Sequence, residues 1–204
     1  MKIGVLAAQG AFAEHAVALR AIGVEPVEVR LPRHLDGIDG LILPGGESTT
    51  IGKLLRRWEL LEPIRELAGE GLPVWGTCAG MILMARELVD ATEDQPLLGL
   101  MDTLVRRNAF GRQVESFEAD LEVACLGEPA FHAVFIRAPR IEQVGDNVDV
   151  LATLEDGTIV AAQQRRLLVT SFHPELTEDR RFHQHFATLC SEARTVLREE
   201  VRSE

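Results

Sequence analysis

The stretch Pro73-Val74-Trp75-Gly76-Thr77-Cys78-Ala79-Gly80-Met81 leaves a chain few ways to fold. Val74 and Trp75 favour a buried strand, and a helix is expected to follow over residues 79–88. Between them, Gly-x-Cys-x-Gly calls for a sharp turn, because a glycine on either side of Cys78 removes the Cβ that would crowd the backbone. This is the sulfur counterpart of the Gly-x-Ser-x-Gly nucleophile elbow. Such an elbow lifts its side chain above a sheet and aims the first N–H groups of the helix at whatever is attacked. A helix N-terminus also favours thiolate over thiol. A free cysteine is more commonly a small, inert core residue, so the elbow acquires chemical meaning only with partners.

The rest of the first half repeats the strand–turn–helix theme. Residues 2–8 are a nearly continuous apolar run, broken at Gln9-Gly10. Phe12, Ala16, Leu19 and Ile22 recur at helical spacing over 12–22, with Gly23 as the stop. A strand is expected at 26–29, a loop at 32–37 and a buried strand at 40–43. The last ends in Pro44-Gly45-Gly46-Glu47-Ser48-Thr49-Thr50, and a helix follows to about residue 58 with Ser48 or Thr49 as its cap. A short helix fits 63–68. The second half reads as strands at 100–105, 117–123, 133–137, 148–154, 158–163 and 167–172, then a helix over 179–197 and a charged, fraying tail. Alternating strands and helices imply parallel βαβ units covered on both faces. The expected fold is therefore α/β and three-layered, a mostly parallel sheet flanked by helices with a partly antiparallel extension. Residues 1–204 read as a single domain.

Charge and cysteine content narrow the setting. A net charge of −11 opposes nucleic acid and anionic membrane as partners. No apolar run reaches the roughly 18 residues of a membrane span, and the start of the chain lacks a signal-peptide layout. Cys78, Cys125 and Cys190 are odd in number and widely spaced, which suggests neither a disulfide framework nor a metal site. A cytoplasmic location is expected.

Two further segments hold candidate chemistry. In Ser171-Phe172-His173-Pro174-Glu175, proline favours an extended His173, and alternation along an extended chain puts His173 and Glu175 on one side. An imidazole oriented by a carboxylate is the base half of a nucleophile–base–acid triad. The other reading is a strand-end histidine facing solvent. Pro44-Gly45-Gly46 offers backbone N–H groups that, with the Ala79 N–H, would make an oxyanion hole; it is otherwise a plain βα turn. Arg106, Arg107, Arg112 and Arg137 stand at strand ends, where they would bind a substrate carboxylate or form surface ion pairs. His15, His34, His132, His183 and His185 read as surface or packing residues, and Cys125 and Cys190 as structural.

Together, Pro44-Gly-Gly-Glu-Ser48, Gly76-Thr-Cys-Ala-Gly80 and His173-Pro-Glu175 resemble the class I (triad) glutamine amidotransferases. A closer likeness is to the glutaminase subunit of pyridoxal 5′-phosphate synthase, the PdxT family. It is carried by Gln9-Gly10, Gly45 to Thr50, Arg107-Asn-Ala-Phe-Gly-Arg-Gln113, Ser116-Phe-Glu-Ala-Asp120, Phe135-Ile-Arg-Ala-Pro139 and Ser171-Phe-His-Pro-Glu-Leu-Thr177. The resemblance implies Cys78 as nucleophile, His173 as general base and acid, and Glu175 as the residue that orients it. It implies Gly46 and Ala79 as oxyanion donors, and Gly46, Glu47, Ser48, Arg107, Ile136 and Arg137 around L-glutamine. Gln9 would lie at the interface with a synthase subunit of the PdxS family, in a large hetero-oligomer, with no cofactor or metal needed. Two other readings are a PfpI-like hydrolase or redox protein with a similar elbow, and a regulatory subunit with a spent site. The first lacks a His-Pro-Glu after its last strand. The second has no use for a complete cysteine, histidine and glutamate set.

Overall fold

The computed structural model of the protein describes residues 1–89, 91, 95–109 and 116–203, the last seven by backbone alone. Strands β1 (Lys2–Leu6), β2 (Glu25–Val29), β3 (Gly40–Leu43) and β4 (Val74–Thr77) alternate with helices α1 (Phe12–Ala21), α2 (Ser48–Arg57) and α3 (Leu61–Gly69). After the short helix α4 (Ala79–Met84) come β5 (Ala85–Leu88), β6 (Met101–Arg106), β7 (Ser116–Leu121), β8 (Phe131–Ile136), β9 (Arg140–Val144), β10 (Asp149–Thr153), β11 (Ile159–Gln164) and β12 (Leu167–Thr170). Helix α5 spans Arg181–Ser203.

The main sheet runs β2-β1-β3-β4-β12-β11-β9-β6-β5, with β10 on β11 and β7-β8 forming a separate hairpin. Pairing is parallel from β2 through β12. It turns antiparallel at β12-β11, β11-β9 and β9-β6. This is the expected parallel sheet with a partly antiparallel extension, flanked by helices.

Strand alternation divides the core between the two faces. Leu41, Leu43, Val74 and Val169 point to one side, where they meet Ile51 and Leu55 of α2 and Met81 of α4. Ile3, Val5, Ile42, Trp75 and Leu168 point to the other, toward Leu19 of α1, Phe182 and Phe186 of α5, and the hairpin residues Phe131 and Phe135. No described helix is long and apolar enough to cross a membrane.

Four local expectations are corrected. The helix after Cys78 stops at Met84, and 85–88 form a strand. Ala85-Arg86-Glu87-Leu88 are good helix formers, but pairing with β6 buries Ala85 and Leu88 and overrides that preference. Strand β9, absent from the sequence reading, is recruited by β6 and β11. The N-cap of α2 is Glu47, whose carboxylate accepts from the Thr49 N–H at 3.1 Å and the Thr50 N–H at 2.7 Å. Its longer side chain can take two orphan donors at once, where Ser48 or Thr49 could reach one. Residues 198–203 continue α5 rather than leaving it.

Candidate active site

Strand β4 ends at Thr77 and α4 begins at Ala79, which leaves one residue for the turn. Cys78 makes it with φ 48° and ψ −101°. Holding a side-chain-bearing residue there costs of order 1–3 kcal/mol and persists only where the surroundings enforce it. Its N–H donates to the Thr170 carbonyl of β12 at 2.8 Å. A Cβ on Gly76 would stand 2.5 Å from the Gly80 carbonyl carbon, and one on Gly80 would stand 1.9 Å from the Leu43 carbonyl oxygen. Both glycines are steric conditions of the elbow. The Cys78 thiol lies 3.9 Å from the Ile136 carbonyl oxygen.

Strands β4 and β12 are parallel neighbours with Thr77 opposite Thr170. The residues just past β12 therefore arrive beside Cys78. The His173 N–H is held by the Val134 carbonyl at 2.9 Å. The chain then enters a 3-10 turn, Pro174–Leu176. The extended alternation expected from the sequence is thus not what joins the pair. The turn folds Glu175 back so that its Oε1 accepts from His173 Nδ1 at 2.7 Å, with both residues buried. A carboxylate can only accept, so the proton sits on Nδ1 and Nε2 is left for other partners. Burial works to lower the His173 pKa, but hydrogen bonds to Cys78 and Glu175 outweigh it and push the imidazole up to about 10. For Glu175, burial works upward, but His15 and the His173 hydrogen bond prevail and the carboxyl is lowered.

The loop after β3 closes the site from the other side. A Cβ on Gly45 would strike His173 Cε1 at 2.4 Å and approach Cys78 Cβ at 3.4 Å. Gly10, at φ +98°, lies so close to this loop that a Cβ would fall 1.8 Å from the Gly45 carbonyl oxygen. Gln9 Oε1 accepts from the Glu47 N–H at 2.8 Å. The chain ends after β1, β3, β4 and β12 thus meet at one edge, outside the carboxyl ends of parallel strands where ligands collect. Burial works to raise the Glu47 carboxyl, but its hydrogen bonds with Thr50 and Thr49 bring it to about 2. Arg107 lies 3.6 Å from Glu47 Oε1 and donates to Gln95 Oε1 at 3.2 Å. Ser48 Oγ donates to the same oxygen at 3.2 Å. Arg137, at φ 43°, is exposed at the end of β8 beside Ile136.

The fold therefore gathers Cys78, His173 and Glu175 with Ala79 and Gly45, sets the neighbouring Gly46 against Gln9, where a Cβ would fall 2.5 Å from Oε1, and puts Glu47, Ser48 and Arg107 in one polar cluster. Arg106 pairs instead with Glu142. Arg112 and the Phe110–Gln113 part of its motif lie outside the described residues. Cys190 is buried as expected, whereas Cys125 is exposed. Two residues were missed. Gln95 is buried, and besides Ser48 and Arg107 it also takes a hydrogen bond from Thr49 Oγ1 at 2.9 Å; nothing in the sequence singled it out. His15 is fully buried against Glu175. Its spacing of four from Leu19 was the available signal that it faces the core. Among the described residues, no group of three or more His, Cys, Asp or Glu is arranged to hold a metal ion.

Comparison with known proteins bears on this geometry. The profile of the SNO glutamine amidotransferase family matches residues 5–192. The pyridoxal 5′-phosphate synthase subunit PdxT of Herpetosiphon aurantiacus is 62% identical over 190 residues, covering 93% of this chain and 100% of that one. Its counterpart in Moorella thermoacetica is 60% identical over 186 residues, covering 91% and 97%. A crystal structure described as a glutamine amidotransferase superposes with a TM-score of 0.88 at 53% identity, covering 93% of this chain and 98% of that one. At 19% identity, a putative GMP synthase subunit from Thermoplasma acidophilum shares the fold with a TM-score of 0.68 over 97% of this chain and 98% of its own.

Proposed function

The chain belongs to the SNO glutamine amidotransferase family, and from that premise we propose that it is the glutaminase subunit of a pyridoxal 5′-phosphate synthase. It hydrolyses L-glutamine to L-glutamate and ammonia and passes the ammonia to a synthase subunit of the PdxS family, within a large hetero-oligomer. We read residues 1–204 as one glutaminase domain working in the cytoplasm. The observation that carries the reading is the buried His173–Glu175 hydrogen bond of 2.7 Å beside a cysteine held at φ 48°.

In this reading the Cys78 thiolate attacks the side-chain amide carbon of glutamine. The oxyanion is met by the Gly46 and Ala79 N–H groups; Ala79 opens a helix, so its N–H has no intrahelical acceptor. His173, as imidazolium, protonates the departing nitrogen, and ammonia leaves. His173 then takes a proton from water, which hydrolyses the thioester. Glu175 holds the imidazole throughout. Arg107 and Arg137 supply positive charge for the glutamine α-carboxylate, while Glu47, Ser48 and the Ile136 backbone bound the rest of the amino acid.

Ammonia released into bulk water is protonated and lost as a nucleophile, so the product needs a sheltered path to a second active site. Hydrolysis without that site is wasteful. Gln9 ties the oxyanion loop through the Glu47 N–H, and a partner that touches Gln9 would reset the loop. Glutamate release is measured with and without the synthase subunit, on wild type and Cys78→Ala. Activity that needs the partner and vanishes in the variant is expected. Equal activity alone and in complex would discard the docking switch. Activity surviving in Cys78→Ala would discard the mechanism.

A further inference from the structure

Glu175 has two carboxylate oxygens, and the triad uses one. Oε2 is buried and has no aligned hydrogen bond, and His15 Nε2 lies 3.3 Å from it. The same Nε2 lies 3.2 Å from Thr77 Oγ1, on the residue immediately before Cys78. His15 Nδ1 lies 3.0 Å from His183 Nε2 of α5. Both histidines pack edge-on to Trp75, with ring centroids 5.5 and 5.0 Å from it. One imidazole on α1 therefore touches both halves of the catalytic apparatus: the carboxylate behind the base and the strand end that carries the nucleophile.

The protonation of this row follows from its chemistry. An unprotonated Nε2 would set its lone pair against the Oε2 charge 3.3 Å away, so the hydrogen belongs on His15 Nε2, aligned with Thr77 Oγ1 and with its positive edge toward Oε2. His15 Nδ1 is then an acceptor, and His183 Nε2 must donate to it. That leaves His183 Nδ1 as the buried acceptor at the end of the row, and it has no hydrogen-bond partner among the described residues. The groups facing His15 are Glu175, His173, His183 and, on its own helix, Glu14. Burial lowers its pKa, with Glu175 and Glu14 pulling the other way and His173 adding to the fall. Burial thus favours the neutral ring.

We propose that His15 is a positioning residue of the glutaminase site, a fourth member that fixes Glu175 through Oε2 and so aims His173 at Cys78. The inference rests on the glutaminase reading above. His15 reaches none of the residues assigned to glutamine binding, so its loss should act on the chemical step and not on substrate affinity. A displacement of about 1 Å in a reacting group costs on the order of 10²-fold in rate.

The test compares His15→Leu, His15→Gln and His15→Asn with wild type, each in complex with the synthase subunit. Gln places an N–H near the Nε2 position; Asn reaches only the Nδ1 position. The expected result is a kcat lowered on the order of 10²-fold in Leu and also reduced in Asn, with KM unchanged and most of the rate restored in Gln. The rate of Cys78 alkylation by iodoacetamide at neutral pH should fall in the same order. If Leu does not fold, the Gln and Asn pair decides. Equal kcat in Gln and Asn, a loss confined to KM, or wild-type kcat in a folded Leu variant would overturn the proposal. If wild type releases no glutamate, the glutaminase reading fails by itself, and the alkylation order still tests whether His15 positions the site.

Discussion

Replacing Cys78 by alanine and by glycine should abolish glutaminase activity alike and yet separate in stability. At φ 48° and ψ −101°, any residue with a Cβ carries strain of about 1–3 kcal/mol, and glycine does not. Glycine in turn gives up the burial of one carbon, about 0.8 kcal/mol. It also loses more chain freedom on folding, about 0.5–1 kcal/mol. At an ordinary buried site, alanine to glycine would thus be destabilising by about 1.3–1.8 kcal/mol. At residue 78 the relief of strain moves that destabilisation to between about −1.7 and +0.8 kcal/mol, centred near 0.5 in favour of glycine. Both variants lack the thiol and its contact with His173, so those contributions cancel. Urea unfolding at neutral pH, followed by circular dichroism and tryptophan fluorescence, gives the two midpoints and slopes. A Cys78→Gly protein less stable than Cys78→Ala by about 1.3 kcal/mol or more would show that the elbow stores no strain in the cysteine backbone.

Gly80→Ala forces a Cβ into the Leu43 carbonyl and should cost at least about 3 kcal/mol, the upper end for overpacking. Gly69→Ala, with nothing within 4 Å of the added atom, should be neutral or stabilising by up to about 1 kcal/mol; urea midpoints rank the two. The raised His173 pKa of about 10 means that the folded protein keeps a proton that the unfolded chain releases near 6.5. Its stabilisation is complete below about pH 6.5 and is lost as pH rises toward about 10, so stability should fall with pH more steeply in wild type than in His173→Asn. Parallel curves at pH 7, 8 and 9 would contradict this. Arg107→Ala should raise KM for glutamine about tenfold or more, the weight of one charge-assisted contact, with a smaller change in kcat, as steady-state kinetics of the complex would reveal.

The parts of the fold and site that were legible in the sequence are those set by neighbours along the chain. The apolar runs of β1, β3, β4 and β12, the glycines around Cys78 and the Gly45-Gly46 turn each state a local backbone requirement, and each is met where it was expected. What a residue does against distant parts of the chain was not legible. The segment 85–88 prefers a helix locally and is a strand because β6 lies beside it. His173 and Glu175 were paired correctly for the wrong local reason, since a 3-10 turn and not an extended chain brings the carboxylate back. Gln95 and His15 carry no motif, and their partners stand 47 and 160 positions away, at Ser48 and Glu175 respectively. Sequence alone determined which groups are available for thiolate chemistry and where the backbone must bend to present them. Which buried polar atoms must satisfy one another was set by packing in three dimensions. That choice is made by desolvation once α1, β4 and the turn after β12 close on the same volume and take their polar atoms out of bulk water.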